Sequence, residues 1–410
     1  MEYLKNDLAV KRPELLIVSS YHRACGVAQY VEFLEIPLRQ QDDFDIKIAP
    51  LPVDLLRSQS SYAKRAARAE FNAILQKVER ADITNIQFEP GLLGFTPSQI
   101  WRNLNAIISK SKKVIITYHT VPPLDSPRLH FSRRGAIDYL RAWRGNYVFN
   151  RLLSKIRKAP EKFHHIVQTP REAKNFALLG VRKSTITHQP LAFISRGVRE
   201  QMDHHDAKLK VSEQMNINSS ATLIGCFGFL SPYKGIEIAI RALSALSDEH
   251  HLLVVGGLHP EGIDKGSVKA PYIQKLLKVI EKQGLSKRVH FCGALDNEEF
   301  NRVMLACNAV VLPYAEVGQT SSGPAALALD MSRPLYCSRT KCFGELNRYQ
   351  PDAVSFFEIG NYMELAEKLL LADGETPNRI NARKSYLEKY SVEHRSASYL
   401  AAAKQLIMEN

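Results

Sequence analysis

Short apolar runs, each followed by a turn and then by apolar positions three and four apart, recur along the chain. In the first half, residues 14–20 (ELLIVSS), 83–88 (ITNIQF), 113–119 (KVIITYH), 165–169 (HIVQT) and 185–190 (TITHQP) read as strands. Helices are expected from about Val27 and over 170–179. In the second half, strands are expected at 222–227, 251–256, 288–292, 308–313 and 333–338. A helix is expected after Gly235, with Ile236, Ile240 and Leu243 on one face. Strands that are apolar throughout are covered by helices on both faces. The pattern therefore predicts an α/β chain with doubly wound parallel sheets.

At 410 residues, two domains are the natural expectation. A polar stretch at 197–221 (GVREQMDHHDAKLKVSEQMNINSSA) divides the halves and reads as their connection. The expected boundaries are 1–198 for a first Rossmann-like domain, 199–220 for a linker and 221–389 for a second. A final helix over about 390–410 presents Ala397, Leu400, Ala401 and Ile407 at helical spacing, and is expected to cross back to the first domain. Two such domains facing across a cleft would bring the carboxyl ends of both sheets to one site.

Composition narrows the classes without naming a function. Hydrophobic content of 45% and charged content of 24% are those of a globular protein. The six cysteines form no CxxC pair, which argues against a zinc module or a disulfide framework. The first residues have no apolar signal core, and no run approaches the ~18 residues that span a bilayer. A cytoplasmic protein is expected. The net charge of +13 is uneven: residues 128–162 hold ten lysines and arginines against Asp138 and Glu161. Arg134, Arg141, Arg144, Arg151, Lys155 and Lys158 would line one helical face, with Leu140, Trp143, Tyr147 and Ile156 on others. Such a face suits an anionic membrane surface, making the protein peripheral there, or an anionic substrate. No nucleic-acid module accompanies it, so no nucleic-acid partner is expected.

The stretch FGFLSPYKGIEIAIRAL (227–243) sets a Lys-Gly pair between an apolar strand and a helix start. A lysine beside free helix N–H groups is a plausible phosphate seat. Other loops that follow strands carry Gly26, Glu89, His119, His188 and the segment GQTSSG (318–323). In that segment small residues precede a helix expected near Pro324. The sequence Asp203-His-His-Asp206 is a weak metal candidate.

Taken in order, ACGVAQY (24–30), NIQFEPGLLG (85–94), ITYHTV (116–121), GFLSPYKGIE (228–237), VVGG (254–257), VHFCGAL (289–295) and NAVVLPYAEVGQTSSGPAALALDMSRPLYC (308–337) resemble the family-four glycosyltransferases. The resemblance implies the two-domain GT-B architecture and a nucleotide-diphosphate sugar as donor substrate. The reaction would retain anomeric configuration and need no metal or other cofactor. The acceptor would be a saccharide or lipid-linked saccharide. His119 and Lys234 are the implied catalytic residues, the histidine at the donor sugar and the lysine at the leaving diphosphate. The implied donor-binding set is Gly26, Phe229, Lys234, Glu316, Gln319, Thr320, Ser321, Ser322 and Gly323. Glu89, Arg133 and Arg134 are placed on the acceptor side. Three positions depart from the pattern: Phe229 stands where many relatives carry arginine, and Gln319 and Leu327 stand where they carry glutamates. Leucine cannot accept the hydrogen bonds of a ribose. A sugar-nucleotide epimerase or hydrolase, or a degenerate binding partner in glycan assembly, are the competing expectations.

Overall fold

The computed structural model describes residues 12–23, 25–121, 146–257, 271–316, 318–371 and 376–408. Arg133 and Arg134 lie outside these residues, as does the basic segment up to residue 145.

Six parallel strands form the first sheet: β1 (Glu14–Ser19), β2 (Asp45–Pro50), β3 (Ile83–Phe88), β4 (Lys113–Tyr118), β5 (Phe163–Val167) and β6 (Ile186–His188). Their order is β2-β1-β3-β4-β5-β6. One face of β3 and β4 sends Ile86, Phe88, Val114, Ile116 and Tyr118 into a hydrophobic core shared with the helix Pro97–Lys110. The alternate positions, Asn85, Gln87 and Thr117, are equally buried yet polar. β5 starts at Phe163, two residues before the expected start, because His164 and His165 are buried strand residues. Burial holds the His165 imidazole at a pKa of about 3, so it stays neutral.

The second sheet contains β7 (Thr222–Phe227), β8 (His250–Val255), β9 (Val289–Gly293), β10 (Ala309–Leu312), β11 (Leu335–Ser338) and β12 (Ser355–Phe357). Its order is β12-β11-β10-β7-β8-β9, again parallel. The expected α/β class with two doubly wound sheets is what the chain adopts.

The chain divides into one unit of Met1–Gln189 with Glu393–Asn410, and another of Pro190–Val392. The polar stretch expected as a linker falls inside the second unit and is largely helical. Helix His204–Gln214 buries Ala207, Val211 and Ser212, and His204 Nδ1 lies 2.7 Å from the carbonyl oxygen of Leu305. Ala207 and Val211, four apart, form the docked face, while Leu209 stays exposed. Asp203 is that helix's cap, accepting from the backbone N–H groups of His205 and Asp206 at 2.7 and 3.1 Å. Asp203 thus has a capping role of its own, and Asp206 accepts from Lys210 Nζ at 2.7 Å.

The final helix, Val392–Met408, belongs from Glu393 onward to the first unit, as expected. Of the four residues expected to face inward, Leu400 is buried and Ile407 half-buried, whereas Ala397 and Ala401 are exposed. The buried stripe also takes in Arg395, Ser396, Tyr399, Ala402, Ala403 and Leu406, and its polar members hid its true centre from the apolar pattern.

Helix Tyr147–Lys158 is the described part of the basic segment. It buries Val148, Phe149, Leu152, Leu153 and Ile156. Several of its cations have internal partners: Lys155 donates to Asn105 Oδ1 (2.6 Å) and Ser109 Oγ (2.7 Å), and Arg157 to the carbonyl of Leu179. Arg151 stacks over Tyr147 and Trp101. Among the described residues no helix is long and apolar enough to cross a membrane.

Candidate active site

Strand order in the second sheet reverses at β7, which has β8 on one side and β10 on the other. Ligands of open α/β sheets bind at strand carboxyl ends beside such a reversal. Two loops leave there, 228–235 after β7 and 313–322 after β10. The Ala315 N–H donates to the Tyr233 carbonyl at 2.7 Å, tying them together.

The Lys-Gly pair has a dual reason. Gly235 sits at φ 63° and caps the helix Ile236–Leu243, and a Cβ there would lie 2.0 Å from the Pro313 carbonyl oxygen. Only glycine allows this approach. The tight turn holds Lys234 beneath the neighbouring loop, only 6% exposed. Its Nζ is 3.8 Å from the Tyr314 ring centroid and 4.8 Å from that of Tyr233. Among the described residues no carboxylate pairs with it. Burial holds its pKa at about 7, far below an ordinary lysine. Gly235→Ala is expected to destabilise the second unit by on the order of 2–4 kcal/mol, from backbone strain and the clash together. Urea unfolding checks this, and an unchanged midpoint would mean the two loops are not held as described.

Ser322 caps helix Gly323–Asp330, and its Oγ also meets Tyr314 OH at 3.2 Å. Thr320, Ser321 and Gly323 are partly exposed beside it. Gln319 turns its amide onto the Ser321 carbonyl, bracing the loop. Glu316 has both carboxylate oxygens engaged, with Gly318 N–H (3.2 Å) and Lys341 N–H (2.8 Å). It therefore anchors the loop to helix Lys341–Tyr349. Phe229 is 40% exposed just past β7, and Leu327 is buried within its helix.

Strand order in the first sheet reverses at β1, between β2 and β3. Gly26, Glu89 and His119 follow β1, β3 and β4, three adjacent strands. Gly26 opens helix Gly26–Gln40, and a Cβ there would meet nothing within 4 Å. Internal packing thus places no demand for glycine at that position. Glu89 accepts from Thr120 Oγ at 2.5 Å. The His119 N–H donates to the Phe88 carbonyl at 3.0 Å, which sets His119 beside Glu89. His119 Nε2 lies 2.7 Å from Gln87 Oε1, and its ring stands edge-on to Tyr30 at 5.2 Å. Burial, reinforced by the nearby charge of Arg395, pushes its pKa down to about 3. The ring is neutral at physiological pH, so it offers one donor and one acceptor but no charge. His188, which ends β6, is exposed.

Residues 208–320 match the family model of glycosyl transferases group 1. The matched segment begins in helix His204–Gln214 and contains the Lys234 turn, β8, β9, β10 and the loop as far as Thr320. The chain is also similar in structure to Alr3699/HepE of Anabaena in complex with UDP, at 15% identity and a TM-score of 0.62. That likeness covers 95% of this chain and all of the other. A glycosyltransferase from Rickettsia africae ESF-5 matches at 11% identity and a TM-score of 0.65, covering 96% and 99% of the two chains. Sucrose-phosphate synthase of Thermosynechococcus elongatus matches at 15% and 0.63, covering 97% and 100%. At such identities the likeness is one of fold. A comparison with curated proteins gives no match.

Each unit's cluster also uses residues that motif reading did not single out. Tyr233 and Tyr314 cage Lys234, and Gln87 holds His119. The available signal was a pair of amides, Asn85 and Gln87, inside an otherwise apolar strand.

Proposed function

We propose that the chain is a glycosyltransferase that moves a sugar from a nucleoside diphosphate to a saccharide or lipid-linked saccharide, with retention of configuration and without a metal. The observation that carries this reading is Lys234: a buried ammonium with no anionic partner among the described residues, at the strand reversal of a doubly wound sheet. A diphosphate supplies the missing negative charge, and the charge that grows as the sugar leaves is the quantity such a lysine stabilises. The family match spans this turn, and a neighbour in fold was crystallised with UDP. Thr320, Ser321 and the Gly323 N–H are the accompanying donors, since Pro324 has no N–H and that of Ala325 is taken by Ser322. His119 and Glu89 act on sugar and acceptor, with Arg133 and Arg134 on the acceptor side. An anionic membrane surface, where the lipid-linked acceptor would reside, is the further partner of the basic segment.

Calorimetry with a panel of nucleoside diphosphate sugars tests the reading. At least one is expected to bind with a dissociation constant below about a millimolar, equivalent to ~4 kcal/mol. His119→Ala should then abolish most turnover while keeping most of the nucleotide affinity. Absence of binding across the panel would instead favour a degenerate partner protein, the reading to which Gln319 and Leu327 lend weight. Donor consumption without an acceptor would point to an epimerase or hydrolase.

A further inference from the structure

A directional chain of hydrogen bonds runs through the first unit from a backbone carbonyl to His119. The Ile115 carbonyl can only accept, so the Asn85 atom 3.3 Å from it is the amide nitrogen. The same nitrogen reaches Thr117 Oγ at 3.0 Å, which employs its second hydrogen. Asn85 Oδ1 must then face Gln87, whose Nε2 donates to it at 2.6 Å. That in turn directs Gln87 Oε1 at His119 Nε2, 2.7 Å away. An acceptor meeting a ring nitrogen requires a hydrogen on that nitrogen. Asn85, Gln87 and Thr117 are fully buried, so water does not compete for these bonds.

We propose that Asn85 and Gln87 are positioning residues that lock His119 as the Nε2–H tautomer, so that the nitrogen left for a ligand is Nδ1, a hydrogen-bond acceptor. Any group recognised by that nitrogen must carry a hydrogen of its own, such as a hydroxyl. The consequence for sugar transfer rests on the function proposed above, whereas the tautomer does not. Amides in the middle of a buried strand cost stability unless they are fully bonded. Setting a tautomer gives them a task that Val or Ile at the same positions would not perform. Thr117 Oγ also lies 2.7 Å from Tyr399 OH, so the C-terminal helix supports the same chain.

Protein labelled with ¹⁵N-histidine, examined by two-bond ¹H–¹⁵N correlation at pH 7, tests the lock without any substrate. His119 is assigned by its loss in His119→Gln. Wild type is expected to show protonated Nε2 and bare Nδ1. Gln87→Met, which removes the acceptor at similar size, should show both tautomers. If that variant does not fold, Asn85→Leu, which removes the acceptor that fixes the Gln87 amide, should likewise show both tautomers, and an unchanged pattern there would count equally against the lock. Protonated Nδ1 in wild type, or an unchanged pattern in folded Gln87→Met, would overturn the proposal. A wild-type ring locked as stated in a protein that binds no nucleotide sugar would reject the function and leave the lock standing.

Discussion

Replacing Lys234 with methionine is expected to stabilise the protein at neutral pH while lowering sugar transfer by at least about 10²-fold. The two effects share a cause. Lys234 is buried against Tyr233 and Tyr314 with no carboxylate beside it among the described residues, and burial holds its pKa at about 7. An unfolded lysine keeps its proton to much higher pH. From about pH 7 up to the ordinary lysine range, the unfolded chain therefore carries a proton that the folded one has released, and stability rises with pH. Below about pH 7 the cost of burying the charge is present in full, on the order of 1.4 kcal/mol per pKa unit. Methionine fills similar space against the rings without charge, so it removes both the cost and the slope. Urea unfolding at several pH values reads the stability, and a radiolabelled-sugar assay reads transfer. A variant less stable than wild type at pH 6 would show that Lys234 is already satisfied within the fold. The same shift makes donor binding a proton-uptake event above about pH 7. Calorimetry in buffers of different ionisation heat should detect it.

A loss of about 3–5 kcal/mol is expected for Arg395→Ala, from the cavity and from the acceptors left unpaired. Arg395 is 1% exposed. It donates to Gln189 O at 2.7 Å, to Gln168 Oε1 at 2.9 Å and to Tyr30 OH. Gln168 in turn donates to the Tyr118 carbonyl at 2.9 Å, at the end of β4. Arg395→Met restores part of the volume and should cost less, but it leaves the same acceptors orphaned. Both variants also remove the charge that helps to depress the His119 pKa. An NMR titration should therefore find that pKa raised, though burial still keeps it below the usual histidine range. Wild-type stability in Arg395→Ala would mean the C-terminal helix is held by its apolar residues alone.

Ten of the twelve strands are legible in the sequence, and the two that are not are β2 and β12. Both lie at sheet edges, but so do β6 and β9, which were legible. In β2 the charged Asp45 and Lys47 and the closing Pro50 interrupt the apolar positions, and β12 is only three residues long. Neither therefore presents the apolar run that marks a buried strand. The Lys234 turn was readable because its glycine, lysine and helix start are contiguous. The cage around it was not, since Tyr314 comes from a loop remote in sequence. Arg395 was hidden for the opposite reason: an arginine in a helix reads as solvent-facing until the tertiary structure supplies its partners.

The second unit is a continuous stretch of chain, whereas the first is completed only by Glu393–Asn410. During synthesis, β1 to β6 leave the ribosome before the helix that carries Tyr399 and Arg395 exists. Until then the buried amides of β3 lack part of their cover, and the second unit can close on its own in the meantime. The order of maturation is thus expected to run against the order of translation. The unit carrying Lys234 becomes competent while the one carrying His119 is still waiting for its last helix. A released chain truncated after residue 392 should accordingly yield a protease-resistant second unit and a cleavable first one.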